Sequence, residues 1–165
     1  MELLGIAIIM VIVIMGILLA LRFFYLQPEE NPAAAARDTL LGANLLDTML
    51  ETTTPCRDLQ LVTLLQECGR GSGLVCGDAT APDGSVMVKA GSACDYAMGT
   101  IAFLLNQTLG TWQRHYEFAI DGPGAIGKRA INSPAEGCMG SSQAITRPRP
   151  IGPGEVMTVS LRLCQ

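Results

Sequence analysis

The stretch LLGIAIIMVIVIMGILLAL, Leu3 to Leu21, decides how the rest of the chain is read. It carries no charge over about nineteen residues, and at 1.5 Å of rise per residue it nearly spans the roughly 30 Å hydrocarbon core of a bilayer. Phe23, Phe24 and Tyr25 follow as an aromatic group at the expected interface, with Arg22 long enough to snorkel. Composition points the same way: 49% of the 165 residues are hydrophobic and 16% charged, too apolar for an ordinary soluble domain unless one segment holds the excess. The expectation is a transmembrane segment, or a helix built like one, over residues 1–26.

A cleaved secretory signal would place a basic region before the apolar run and a small-x-small site after it, and the sequence has neither. The run is therefore expected to remain in the mature protein. Arg22 lies on the domain side, which the positive-inside rule would read as a cytoplasmic domain. The cysteines argue the opposite, and removal of a short basic leader ahead of Met1 would reconcile the two. Gly5 and the small pair Gly16 and Ala20 would let another helix approach closely, although glycine and alanine are common in membrane helices in any case. Glu2 puts a carboxylate at the edge of the apolar run, where it needs water or a cation, and a neighbouring subunit's α-amino group would serve. A solvated terminus is the alternative.

All six cysteines, Cys56, Cys68, Cys76, Cys94, Cys138 and Cys164, follow the apolar segment. An even number in a domain of roughly 130 residues reads as a disulfide framework in an oxidising compartment. Six cysteines allow about 15 pairings; Cys68 with Cys76 closing a local loop, and Cys164 tying the last strand to an earlier element, are the expectation. Zinc is disfavoured, because no Cys-x-x-Cys pair occurs and His115 is the only histidine. With a net charge of −4 and basic residues scattered, nothing favours binding to nucleic acid.

QPEENP, Gln27 to Pro32, reads as a linker, with Asn31 as N-cap and Pro32 at the first helical position. Leu40, Leu41, Leu45, Leu46, Met49 and Leu50 recur at helical spacing to about Thr52, so residues 27–55 are read as a helical continuation of the first helix. TTTP, Thr52 to Pro55, ends it. A short helix is expected from Asp58, as N-cap, to Cys68, stopped by Gly69. Residues 69–92 read as a surface loop stapled through Cys76, and a second amphipathic helix runs from about Asp95 to Trp112. The period then changes to two in HYEFAI (115–120), SQAITR (142–147) and EVMTVSLRLC (155–164), which implies three antiparallel strands, with Pro148, Pro150, Gly152, Pro153 and Gly154 as a turn.

The segment GPGAIGKR, Gly122 to Arg129, matches glycine patterns of phosphate-binding loops, but Arg129 stands where a hydroxyl is needed and AINSPAEGC does not open a helix. An irregular loop is the better reading. His115 has no nucleophile and orienting group beside it in a recognisable pattern, and Asp78, Asp83 and Asp95 lack the spacing of a calcium loop. The chain is not expected to be an enzyme or to carry a cofactor or metal. Asn106-Gln107-Thr108 is an N-glycosylation acceptor sequence, which makes Asn106 a glycosylation candidate.

An almost charge-free helix at the very N-terminus, an early glutamate, a helical continuation and a cysteine-bearing head ending in antiparallel strands together resemble type IV pilin-like proteins. MELLGIAIIMVIVIMGILLALRFF is similar to the post-cleavage start of archaeal proteins with class III signal peptides, and LLDTMLETTTPCRDL and GEVMTVSLRLC resemble small cysteine-containing archaeal proteins of that kind. The resemblance implies a prepilin peptidase that removes a basic leader, assembly machinery, residence in the membrane before assembly, and packing of the apolar helices of many copies into the core of an extracellular filament used for adhesion, surface contact or motility. Met1 to about Leu26, with Glu2, Gly5, Gly16, Ala20, Phe23 and Phe24, would then be the polymerisation element. Glu2 stands earlier than the corresponding glutamate of bacterial pilins, and many archaeal pilin heads are all-β.

The expected architecture is α+β: a long hydrophobic N-terminal helix as a pilin-like spine, then a small disulfide-stabilised head over residues 56–165, built of helices and an antiparallel sheet of three or more strands. The expected role is a filament subunit. A monomeric, membrane-anchored ectodomain that binds a ligand or partner is the alternative.

Overall fold

The computed structural model describes residues 2–25, 32–81, 83–138 and 142–164, with side-chain surroundings for 10–21, 36–81, 83–138 and 142–164. The chain divides into two compact units, Met1–Ala34 and Ala35–Gln165.

In the first unit, helix α1 covers Glu2–Tyr25. The expectation of a long hydrophobic N-terminal helix, and of a transmembrane helix within it, is corrected here: among the described residues no helix is long and apolar enough to cross a membrane.

Among the described residues, the second unit holds helices α2 (Pro32–Glu51, from Ala35 onward), α3 (Leu61–Arg70) and α4 (Ala93–Leu105), and eight strands. Proline opens α2, where its missing N–H has no helical partner to lose; the expected cap, Asn31, lies outside the described residues. Four short strands, β1 (Val75–Cys76), β2 (Ala79–Thr80), β3 (Val86–Val88) and β4 (Gly91–Ser92), pair as β1 with β4 and β2 with β3. They fall in the stretch expected to be an irregular loop. The main sheet is fully antiparallel in the order β6-β5-β8-β7, from β5 (Tyr116–Gly122), β6 (Gly127–Ser133), β7 (Ser142–Gly152) and β8 (Glu155–Cys164).

Period-two alternation decides which face of this sheet is inside. Tyr116, Phe118 and Ile120 of β5 and Met157, Val159, Leu161 and Leu163 of β8 are all buried, joined by Ile145 and Ile151 of β7. Onto that face pack Leu46, Met49 and Leu50 of α2, Leu61, Leu64 and Leu65 of α3, and Tyr96, Ala97 and Ile101 of α4 in one core. The helices meet it at i, i+3, i+4 spacing. Two glycines set how closely they approach. A methyl group on Gly42 of α2 would come within 2.6 Å of Ile145 Cδ1, and one on Gly69 of α3 within 2.9 Å of Ile151 Cδ1.

Several element boundaries differ from the sequence reading. Helix α3 begins at Leu61, not Asp58: Arg57 and Asp58 take left-handed φ of 53° and 56°, in a turn held by the Leu59 N–H donating to the Cys56 carbonyl. Helix α4 begins two residues early, because the Ser92 hydroxyl accepts from the Asp95 N–H as N-cap, and Asn106–Gly110 finishes it as a π-helical turn. Strand β6 occupies part of the segment read as irregular. Pro148 and Pro150 lie inside β7 and do not form the turn, which falls at Pro153 and Gly154. An edge strand tolerates them, since one side of it has no partner to donate to.

Candidate functional site

Single exposed apolar side chains are ordinary, but a contiguous exposed apolar surface marks a place where something binds. On α1, Met10, Val11, Ile12, Val13, Ile14, Met15, Ile17, Leu18, Leu19 and Leu21 are each 47–65% exposed. Twelve successive helical positions, turning about 100° each, carry this surface around every side of the helix. Gly16 and Ala20 are exposed among them, and a methyl group on Gly16 would meet nothing within 4 Å. Glu2, Gly5, Phe23 and Phe24 belong to the same helix; their side-chain surroundings lie outside the described residues.

In the second unit the polar groups are largely engaged with one another. Asp47 of α2 takes Arg147 at 3.4 Å and Arg149 at 3.0 Å, both from the inward-facing row of β7, while Arg149 Nε is buried without a hydrogen-bond partner. Arg114 reaches Asp38 at 3.4 Å, and Thr39 donates to Gln143. These polar contacts continue the Gly42 contact along α2. The charged pairing was missed in the sequence reading, although RPRP alternates charge at the period of a strand. Asp47→Ala leaves two guanidinium groups facing each other and is expected to cost about 1 kcal/mol, the groups being roughly one-third exposed. Urea unfolding of the full chain in mild detergent measures it.

GPGAIGKR forms the β5–β6 hairpin turn, not a phosphate cradle. Gly124 adopts φ +64° with its Cα against the Gly69 carbonyl, so a side chain there would be both strained and obstructed. Lys128 pairs with Asp121 at 3.5 Å and Arg129 with Asp95 at 3.0 Å. The Asp95 carboxyl is held below the ordinary carboxylate range by the Ser92 hydroxyl, with Arg129 adding to it, and Asp83 is lowered by its hydrogen bonds from Ser85. Asp78 accepts the Ala90 N–H at 2.6 Å. Burial raises the Tyr96 and Tyr116 phenols. His115 is exposed just before β5, and among the described residues no three of His, Cys, Asp and Glu gather as metal ligands.

Two recesses in the body lie among the described residues and bear on binding. One, of about 390 Å³, lies beside Cys68 and Cys94, between the Gly71–Val75 segment and Arg129. Its charged groups are already paired, Glu67 with Arg70 and Arg129 with Asp95. The other, about 520 Å³, crosses the outer face of the sheet over Ala119, Ala130, Ser160 and Thr146. Asn106 is exposed, but Thr108 turns its hydroxyl back to the Leu104 carbonyl at 2.7 Å inside the helical turn.

All six cysteines are paired: Cys56–Cys76, Cys68–Cys94 and Cys138–Cys164. The expected Cys68–Cys76 loop is corrected. Cys68 sits on the buried face of α3 and meets Cys94 at the start of α4, so the bond clamps the two helices together, while Cys76 on β1 reaches Cys56. Cys164 does tie the last strand to an earlier segment, through Cys138 after β6. Compared with known proteins, the chain matches no family model, no curated protein and no solved structure.

Proposed function

We propose that the protein is a structural subunit of an extracellular, type IV pilus-like filament, whose copies join through the apolar surface at positions 10–21. The observation that carries this reading is that surface itself: ten large apolar side chains, each about half exposed or more, distributed around the whole helix. A single docking partner would cover one stripe and leave the rest wet; several copies packed around one another cover all sides. Three disulfides in the body suit an oxidising, extracellular setting. Prepilin peptidase, assembly machinery, passage through the membrane and a role in adhesion, surface contact or motility belong to the same proposal.

Material sheared from producing cells, viewed by electron microscopy and sequenced by mass spectrometry, tests it. Filaments containing this chain are expected, and Ile14→Lys with Leu18→Lys is expected to abolish them while leaving the melting of the body unchanged. A chain recovered only as a lipid-embedded monomer overturns the proposal.

A further inference from the structure

The inward-facing row of β7 runs Ile145, Arg147, Arg149, Ile151. Its two isoleucines are buried, Ile145 against Gly42 of α2 and Ile151 against Gly69 of α3, and the arginines fill the stretch between the two helices with 38% and 33% of their side chains exposed. Helix α2 supplies Asp47 there, and Gln66 of α3 donates to the Pro150 carbonyl at 2.8 Å. Among the described residues Asp47 is the only carboxylate that pairs with either arginine, so two positive charges share one negative charge in a notch partly shielded from water. The sharing is poor. Arg147 stands at 3.4 Å through both Nε and Nη2, longer than the roughly 2.7–2.9 Å of a close charge-assisted bond. Arg149 reaches Asp47 through Nη2 alone, which leaves its Nε buried without an acceptor.

We propose that this notch is a binding site for a small oxyanion, a carboxylate, sulfate or phosphate group, held between Arg147 and Arg149. A guanidinium presents its donors as a flat fork that matches the oxygens of one anion. Among the described residues, Nη1 of each arginine gives no bond to a protein acceptor and is the group left to take the ligand. One added negative charge balances the second guanidinium, which Asp47 cannot do for both. Partial burial keeps that attraction from being screened as strongly as it is on an open surface. Chloride offers no pair of oxygens and is the weaker ligand. The site uses no residue of α1 and is independent of the filament reading.

Titration of the full chain in mild detergent with sodium sulfate, against sodium chloride at matched ionic strength, tests this. The melting temperature is expected to rise and to saturate at millimolar sulfate, as binding to the folded state alone requires. Sulfate also stabilises proteins by exclusion from their surfaces, but that effect does not saturate and is blind to individual side chains. Arg147→Gln with Arg149→Gln is therefore expected to remove the saturable rise and keep the general one. Asp47→Asn, which takes away the competing carboxylate, is expected to bind sulfate several-fold more tightly and to regain in sulfate most of the melting temperature it loses in chloride. On the unaltered chain, the Nε–H nuclear magnetic resonance signals of Arg147 and Arg149 are expected to shift with the same saturation, a readout that needs no variant to fold. A response to sulfate that does not saturate, or that survives in the double arginine variant, overturns the proposal, as does Asp47→Asn binding no more tightly than the unaltered chain. Near-ultraviolet circular dichroism of each variant confirms that it is folded.

Discussion

Treatment of the full chain with excess dithiothreitol is expected to abolish cooperative melting of the disulfide-bonded body. The bonds close loops with sequence separations of 20, 26 and 26 residues. In the chain-entropy account, each such closure withholds about 3 kcal/mol of disorder from the unfolded state. Cys56–Cys76 and Cys68–Cys94 overlap in sequence, so together the three supply somewhat less than about 10 kcal/mol. That still rivals the roughly 5–15 kcal/mol of net stability usual for a domain. Circular dichroism melts with and without reductant check this; a reduced chain that melts cooperatively at the same temperature refutes it.

The second large effect is expected from Phe118→Ala. Phe118 is fully buried at the centre of β5, between Ile131 of β6 and Leu161 of β8 in cross-strand register. Truncating a buried phenylalanine removes its transfer energy and leaves a cavity that the neighbours fill only in part, about 3–5 kcal/mol in all. Urea unfolding of the variant in mild detergent is expected to show a much lower midpoint with an unchanged slope. Ala119→Ser, one position along and facing outward, is expected to change little.

How much of this was legible in the sequence depended on whether local pattern and tertiary context agreed. EVMTVSLRLC alternates without interruption, and its expected strand coincides with β8, because this central strand buries one face completely. GKRAINS did not read as a strand, since an edge strand buries so little that only Ile131 marks its inward row with an apolar side chain. Pro148 and Pro150 read as turn residues because proline is excluded from central strands, and nothing local reveals that β7 lies at the edge. Asp58 looked like a helix cap by residue type, but the bridge between Thr53 and Gln60 draws the chain into a turn first. Cysteine pairing was not readable, because it depends on α3 and α4 packing side by side. At the proposed site, the apolar run was plain from its residues; the separation of units at Ala34 and Ala35 was not.

Helix α2 is secured differently from everything after it. The disulfides begin at Cys56 and end at Cys164, so no covalent cross-link holds Ala35–Glu51; the Gly42 contact, the Asp47 ion pairs and buried Leu46, Met49 and Leu50 do. When tension enters the body from the N-terminal side, α2 lies first in the load path, and its attachment is the seam that yields. Behind it, the cross-links cap how far the chain can pay out under load. Under such a load α2 is expected to detach before the cross-linked stretches 56–94 and 138–164 lengthen, whereas residues 95–137 lie outside every disulfide loop.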